Sequence, residues 1–172
     1  LEEIAFNYDE SILFLREGSL TGQLHLIDLK EHKKVSTPKG VFFDKIEHMT
    51  LNGLKNHIAI SDGHGSSKTR IIDIDNFQII ARLPKMGNIE FTPDGNTLVQ
   101  WYSYKVQFWN YEKERLLFEI INKQSQSAIS YVCMHPSKPI LVMLLHNYSG
   151  KKSLYQLYIL NLKTGEEIKF FD

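Results

Sequence analysis

Residues 91–99 read Phe91-Thr92-Pro93-Asp94-Gly95-Asn96-Thr97-Leu98-Val99. An apolar residue closes one run, a Pro-Asp-Gly turn follows, and a strongly apolar run begins. Proline presets φ at about −65° and glycine supplies the positive φ that a tight turn needs. Short apolar runs around such a turn read as two strands of a hairpin. The same order occurs three more times: Phe6-Asn7-Tyr8-Asp9-Glu10-Ser11-Ile12-Leu13-Phe14, Leu51-Asn52-Gly53-Leu54-Lys55-Asn56-His57-Ile58-Ala59-Ile60 and Met134-His135-Pro136-Ser137-Lys138-Pro139-Ile140-Leu141-Val142. The anchors Phe6, Leu51, Phe91 and Met134 lie 45, 40 and 43 residues apart.

The later half of each unit repeats as well. Ile27-Asp28-Leu29, Ile72-Asp73-Ile74, Trp109-Asn110-Tyr111 and Leu160-Asn161-Leu162 occupy equivalent places, each followed by a polar turn and another apolar run. A unit of about 40–45 residues with four short apolar runs is the period of a four-stranded propeller blade. The expected fold is therefore all-β: a β-propeller, or a propeller segment, of about four blades, each a four-stranded antiparallel sheet. The units fall at about 1–44, 45–86, 87–126 and 127–172 within a single repeat domain, expected to be part of a longer chain. Lys113 to Asn122 has helix propensity, but it falls where the other units place their last strand, and it is read as strand. The second run of each unit is nearly all apolar, which predicts burial on both faces. Trp109 is expected to be largely buried between blades.

These repeats resemble those of WD-repeat β-propellers, most closely at residues 91–99, Trp109-Asn110, residues 134–142 and Leu160-Asn161-Leu162-Lys163-Thr164-Gly165-Glu166. Where that family carries Trp-Asp at the end of the third strand, this chain has Ile-Asp, Trp-Asn or Leu-Asn. Its Gly63-His64 pair stands in a different loop from the Gly-His of the family. The resemblance implies blades stacked around an axis.

Composition narrows the classes. The 172 residues are 42% hydrophobic and 23% charged, an ordinary globular balance. Twenty basic and twenty acidic residues give zero net charge, which argues against nucleic-acid binding driven by bulk positive charge. The longest aliphatic run, Ile140 to Leu145, is far short of a bilayer span, so no membrane insertion is expected. The lone Cys133 forms no internal disulfide, which fits an intracellular protein.

No catalytic, cofactor or metal set emerges. Gly63-His64-Gly65-Ser66-Ser67-Lys68-Thr69 lacks the glycine that must precede the Lys-Thr pair of a phosphate loop and leads into a strand, so it reads as a hairpin loop. His57 and His146 border apolar second strands and read as structural histidines; His135 reads as a turn residue. Cys133 reads as a buried, inert thiol. No Gly-x-Ser-x-Gly elbow occurs. The expected role is thus a noncatalytic interaction or scaffold module without cofactors. The rival is an accessory or gating propeller of an enzyme whose catalytic groups lie outside this segment, and a third reading is a sensor or ligand-binding propeller using the central channel.

One distribution suggests the binding face. Near the connections between second and third strands fall Arg16, Lys68, Arg70, Lys105, Lys151 and Lys152, against Glu17 and Asp62. Tyr102, Tyr104 and Tyr148 lie among them. Tyrosines bury area at little entropic cost and basic groups meet carboxylates, so this set is expected to bind an acidic or mixed peptide segment of a protein partner. Further blades of a parent chain, or a second copy, are additional candidate partners.

Overall fold

The computed structural model describes residues 3–7, 9–17, 23–36, 40–42, 46–62, 68–84, 87–122, 127–147, 154–164 and 166–171. Four sheets are built, each from four consecutive strands in sequence order. The first holds β1 (Glu3–Phe6), β2 (Ile12–Glu17), β3 (Gln23–Asp28) and β4 (Lys33–Lys34). The second holds β5 (Ile46–Asn52), β6 (His57–Asp62), β7 (Lys68–Asp73) and β8 (Ile79–Pro84). The third holds β9 (Asn88–Phe91), β10 (Leu98–Tyr102), β11 (Lys105–Asn110) and β12 (Arg115–Ile121). The last holds β13 (Ser127–Met134), β14 (Ile140–Asn147), β15 (Leu154–Asn161) and β16 (Glu167–Phe171). All neighbouring strands run antiparallel. The fold is the all-β propeller segment that the repeat predicts. Residues 115–121 form strand β12, paired from Lys105↔Ile121 to Asn110↔Arg115. Among the described residues, helical geometry is confined to one 3-10 turn, Tyr111–Lys113.

Equivalent polar residues close equivalent turns. After each first strand the residue at the turn entrance bonds across it. Asn7 Oδ1 accepts from Ile12 N at 2.7 Å, and Thr92 Oγ1 accepts from Thr97 N at 3.0 Å. His135 Nδ1 accepts from the backbone N–H groups of Ser137 and Lys138, both at 3.2 Å, which is the turn role its position predicts. After each third strand the Asp or Asn caps the next turn. Asp28 Oδ1 accepts from Lys30 N and Glu31 N, Asp73 Oδ1 from Asp75 N, Asn110 Oδ1 from Lys113 N, and Asn161 Oδ1 from Lys163 N. Short polar side chains do this because they offer the backbone a local acceptor. Four residues beyond Asp28, Asp73 and Asn110 stand His32, Phe77 and Glu114, all left-handed, with φ of +53°, +58° and +47°.

Apolar burial lies between the sheets, in three seams. Phe14 and Leu26 of the first sheet meet Ile46, Ile58, Ile60 and Ile72 of the second. Ala59, Ile71, Ala81 and Leu83 of the second meet Ile89, Phe91, Leu98 and Tyr111 of the third. Val99, Val106 and Phe108 of the third meet Val132, Leu141, Met143 and Leu145 of the last. Residues adjacent in sequence, such as Ile71 and Ile72, serve different seams because successive strand side chains point to opposite faces.

The prediction for second strands holds in the two middle sheets. Ile58 to Ser61 and Leu98 to Trp101 are buried without a break. In the end sheets, β2 and β14 are buried at alternate positions, Phe14 and Arg16, then Leu141, Met143 and Leu145. The reason is that, among the described residues, each end sheet packs its core against one other sheet. Ile4, Phe6, Leu13, Leu15 and Ile27 share the other face of the first sheet, where Ile4 and Phe6 are 55% and 51% exposed. Val142, Leu144, Leu157 and Ile159 share the corresponding face of the last.

Trp109 is half-buried against the second seam, less than predicted. The fully buried aromatic is its neighbour Tyr111, packed edge-on against Phe91 at 5.3 Å between centroids.

Candidate functional site

Every sheet is a meander in sequence order, so in each the C-terminal end of the second strand and the N-terminal end of the third stand side by side. Tyr148, Lys151 and Lys152 of the expected binding set lie outside the described residues. Of the four connections from second to third strand, the one between β10 and β11 is fully described, a two-residue turn at Ser103 and Tyr104. Ser103 takes φ of +53°, and its carbonyl accepts from Ile129 N. The Tyr104 carbonyl accepts from Asn122 N at 2.7 Å. The turn is thus tied both to its own sheet and to the next one.

Two aromatic side chains project from this fixed turn. Tyr102 is 67% exposed and Tyr104 is 53% exposed. Behind Tyr102 stands Gly87, with φ of +80°. A Cβ at Gly87 would sit 2.9 Å from the Trp101 carbonyl and 3.1 Å from the Tyr102 ring, so glycine lets the chain pass under that ring. Lys68 begins β7 and is exposed.

The remaining basic residues of the set are engaged inside the molecule. Arg16 is a correction: it is 6% exposed, donating from Nε to Glu3 Oε2 at 2.8 Å and from Nη1 to the Ile46 carbonyl at 3.4 Å. It joins the first sheet to the second and offers no side chain to a partner. Arg70 donates to the carbonyls of Gly40 and Val41 at 2.8 and 2.9 Å, pinning the stretch that leads into the second sheet. Lys105 pairs with Glu119 across β11 and β12 at 3.2 Å, where Gln107 also donates to the same oxygen. Much of the basic excess read from the sequence is therefore internal pairing.

A second polar cluster lies at the opposite end, between the middle sheets. Asn52 Nδ2 donates to the Gly95 carbonyl at 2.8 Å and to Tyr111 Oη at 3.2 Å. Tyr111 Oη donates to that carbonyl at 3.1 Å and lies 3.1 Å from His57 Nδ1. Lys55 pairs with Glu112 at 2.7 Å and stands over the Tyr111 ring. Burial pushes the Tyr111 hydroxyl above its ordinary range and the His57 imidazole below its own. Both groups are thus held neutral, Tyr111 fully enclosed, so the cluster clamps two sheets. Sequence reading missed it, since Asn52 and Tyr111 are 59 residues apart and fall in different repeat units. Near the last seam, burial and then the Glu90 charge push the Cys133 thiol up, away from a reactive thiolate.

Among the described residues no group of three His, Cys, Asp or Glu side chains could hold a metal ion. Among the same residues no helix is long and apolar enough to cross a membrane.

No protein-family model and no curated protein matches the sequence. Solved structures do: 559 chains share the architecture, so resemblance alone does not choose a function. One is a chain of a mitotic checkpoint complex crystal structure, similar with a TM-score of 0.69 and 18% identity over 98% of this protein and 50% of that chain. At that identity the likeness shows the fold. This protein spans half the length of that solved chain.

Proposed function

We propose that this chain is a diverged WD-repeat-like propeller segment that acts as a noncatalytic, intracellular protein-interaction module. It engages an acidic or mixed peptide segment of a protein partner through the face carrying Tyr102, Tyr104, Lys68, Tyr148, Lys151 and Lys152. The observation that carries the reading is the pair of exposed tyrosines on a turn fixed by two inter-segment backbone bonds. Such rings lose little freedom on binding, so their buried area converts well into affinity. The solved chain of the checkpoint complex, itself part of a protein assembly, lends general support.

The outer faces of the first and last sheets, against which no described residue forms a core cluster, add a second role. Ile4, Phe6, Leu13, Leu15 and Ile27 at one end, and Val142, Leu144, Leu157 and Ile159 at the other, continue the pattern that fills the three seams. Further four-stranded sheets, from a parent chain or from a second copy, complete the stack there.

The test is a peptide selected on the immobilised chain from a displayed library, followed by surface-plasmon kinetics at two salt concentrations. Tyr102→Ala and Tyr104→Ala should raise the dissociation rate at least about ten-fold, equivalent to about 1.4 kcal/mol. Lys151→Glu with Lys152→Glu should mainly lower the association rate and its salt dependence. Selected peptides whose rates ignore all four positions would place the binding face elsewhere.

A further inference from the structure

Among the described residues, no partner engages the Glu90 side chain. It lies on β9 opposite Val99, so its side chain shares the face that looks toward the last sheet. No hydrogen bond or ion pair to a described residue holds it, and burial alone pushes its carboxyl above the ordinary range. A half-buried carboxylate without a partner is costly, and proteins keep such groups where something arrives to pair with them.

The surroundings indicate what arrives. Glu90 opens on a cavity of about 280 Å³ where the first strands of all four sheets converge, lined also by Glu3, His48, Asn88, Trp101 and Tyr131. The rings of Trp101 and Tyr131 meet edge to face at 6.5 Å. The Glu3 carboxylate is already shared with Arg16, so Glu90 supplies the unspent negative charge. Ring faces carry a negative quadrupole and attract cations. Met49 and Ile89 give an apolar wall on which an alkyl stem can lie. The volume suits one side-chain-sized group, at or below the low end of the about 300–1,000 Å³ typical of small-molecule sites.

We propose that this cavity binds an alkylammonium group, of the kind a partner's lysine side chain presents, with Glu90 as counter-charge and Trp101 and Tyr131 as ring walls. The ammonium needs three acceptors or water, and the carboxylate with the Asn88 side-chain oxygen can provide two of them. The site lies on the inner strands and stands or falls independently of the loop face.

The test follows the two indole N–H signals of the intact chain by NMR, Trp101 as reporter and Trp109 as internal control. The probes are n-butylammonium, its neutral counterpart n-butanol, and Nα-acetyl-lysine methylamide. The Trp101 signal should move saturably with both amines and not with n-butanol, while Trp109 stays in place. Glu90→Gln should weaken amine binding at least ten-fold with an otherwise unchanged spectrum, and Tyr131→Leu should weaken it by a smaller factor. Tighter binding of the lysine derivative would identify a partner's side chain as the source, and equal binding a free amine; either upholds the ammonium site. No saturable shift, an equal shift with n-butanol, or binding indifferent to both substitutions would overturn the proposal.

Discussion

Gly95→Ala tests the clamp between the middle sheets. Gly95 has φ of +68°, and a Cβ built there would stand 2.6 Å from Asn52 Oδ1 and 3.1 Å from its Cγ. Two costs follow. The left-handed backbone costs a residue with a Cβ about 1–2 kcal/mol. The buried Asn52 must also swing away from the Gly95 carbonyl and the Tyr111 hydroxyl, and leaving such a buried amide unpaired costs about 1–3 kcal/mol. Together the substitution should destabilise by about 2–5 kcal/mol. Urea unfolding monitored by tryptophan fluorescence measures this. The decisive comparison adds Asn52→Ala, which removes the collision while keeping the backbone cost. The double variant should then lose less than the sum of the singles, with a coupling of at least about 1 kcal/mol. A Gly95→Ala loss below about 1 kcal/mol, or strict additivity, would refute the claim that Asn52 and Gly95 are fitted to each other.

Other substitutions have equally definite outcomes. Tyr111→Phe keeps the packing and removes only the hydroxyl; Asn52 retains the Gly95 carbonyl, so the loss should be about 1 kcal/mol in the same melts. His57 is held below its ordinary 6.5 by burial, so the unfolded chain takes up this proton first. Its stabilising contribution is complete above about pH 6.5 and is lost as pH falls toward the folded value; wild type should therefore lose more stability than His57→Gln between about pH 7.5 and about pH 5. Trp109→Ala should cost about 2–3 kcal/mol, less than the about 3–5 of a fully enclosed tryptophan, because the ring is only partly buried. His32 is exposed and left-handed, so His32→Gly should raise stability by about 0.5–1 kcal/mol in thermal melts.

What could be read in advance was local chemistry. The anchors Phe6, Leu51, Phe91 and Met134 are followed by turn residues whose backbone preferences act over four or five positions, and they marked every first hairpin. Asp28, Asp73, Asn110 and Asn161 stood out at equivalent places, and their hydrogen bonds explain why a Trp-Asp pair is dispensable there: the short polar side chain caps the turn whatever precedes it. What was hidden depends on which sheet faces which. Arg16 and Lys105 counted as free positive charge because the carboxylates that engage them, Glu3 and Glu119, are 13 and 14 positions away in the sequence. Tyr111 read only as the last residue of the third repeated triplet, before its polar turn, although its side chain reaches into the neighbouring sheet. Glu90 was not singled out at all, because only the converging first strands make it half-buried.

The three seams are arranged in series, and this has a kinetic corollary. Each sheet draws its apolar support from the one before and the one after, so the chain behaves as a short linear array with nearest-neighbour coupling. The middle sheets are gripped from both sides and the outer ones from one. Opening should therefore begin at either end and travel inward, with amide hydrogens of β6 and β10 exchanging last and those of β2 and β14 well before them. A covering sheet at one end would slow exchange in its immediate neighbour first and leave the far end almost unchanged, so the pattern of protection would report which end had been occupied.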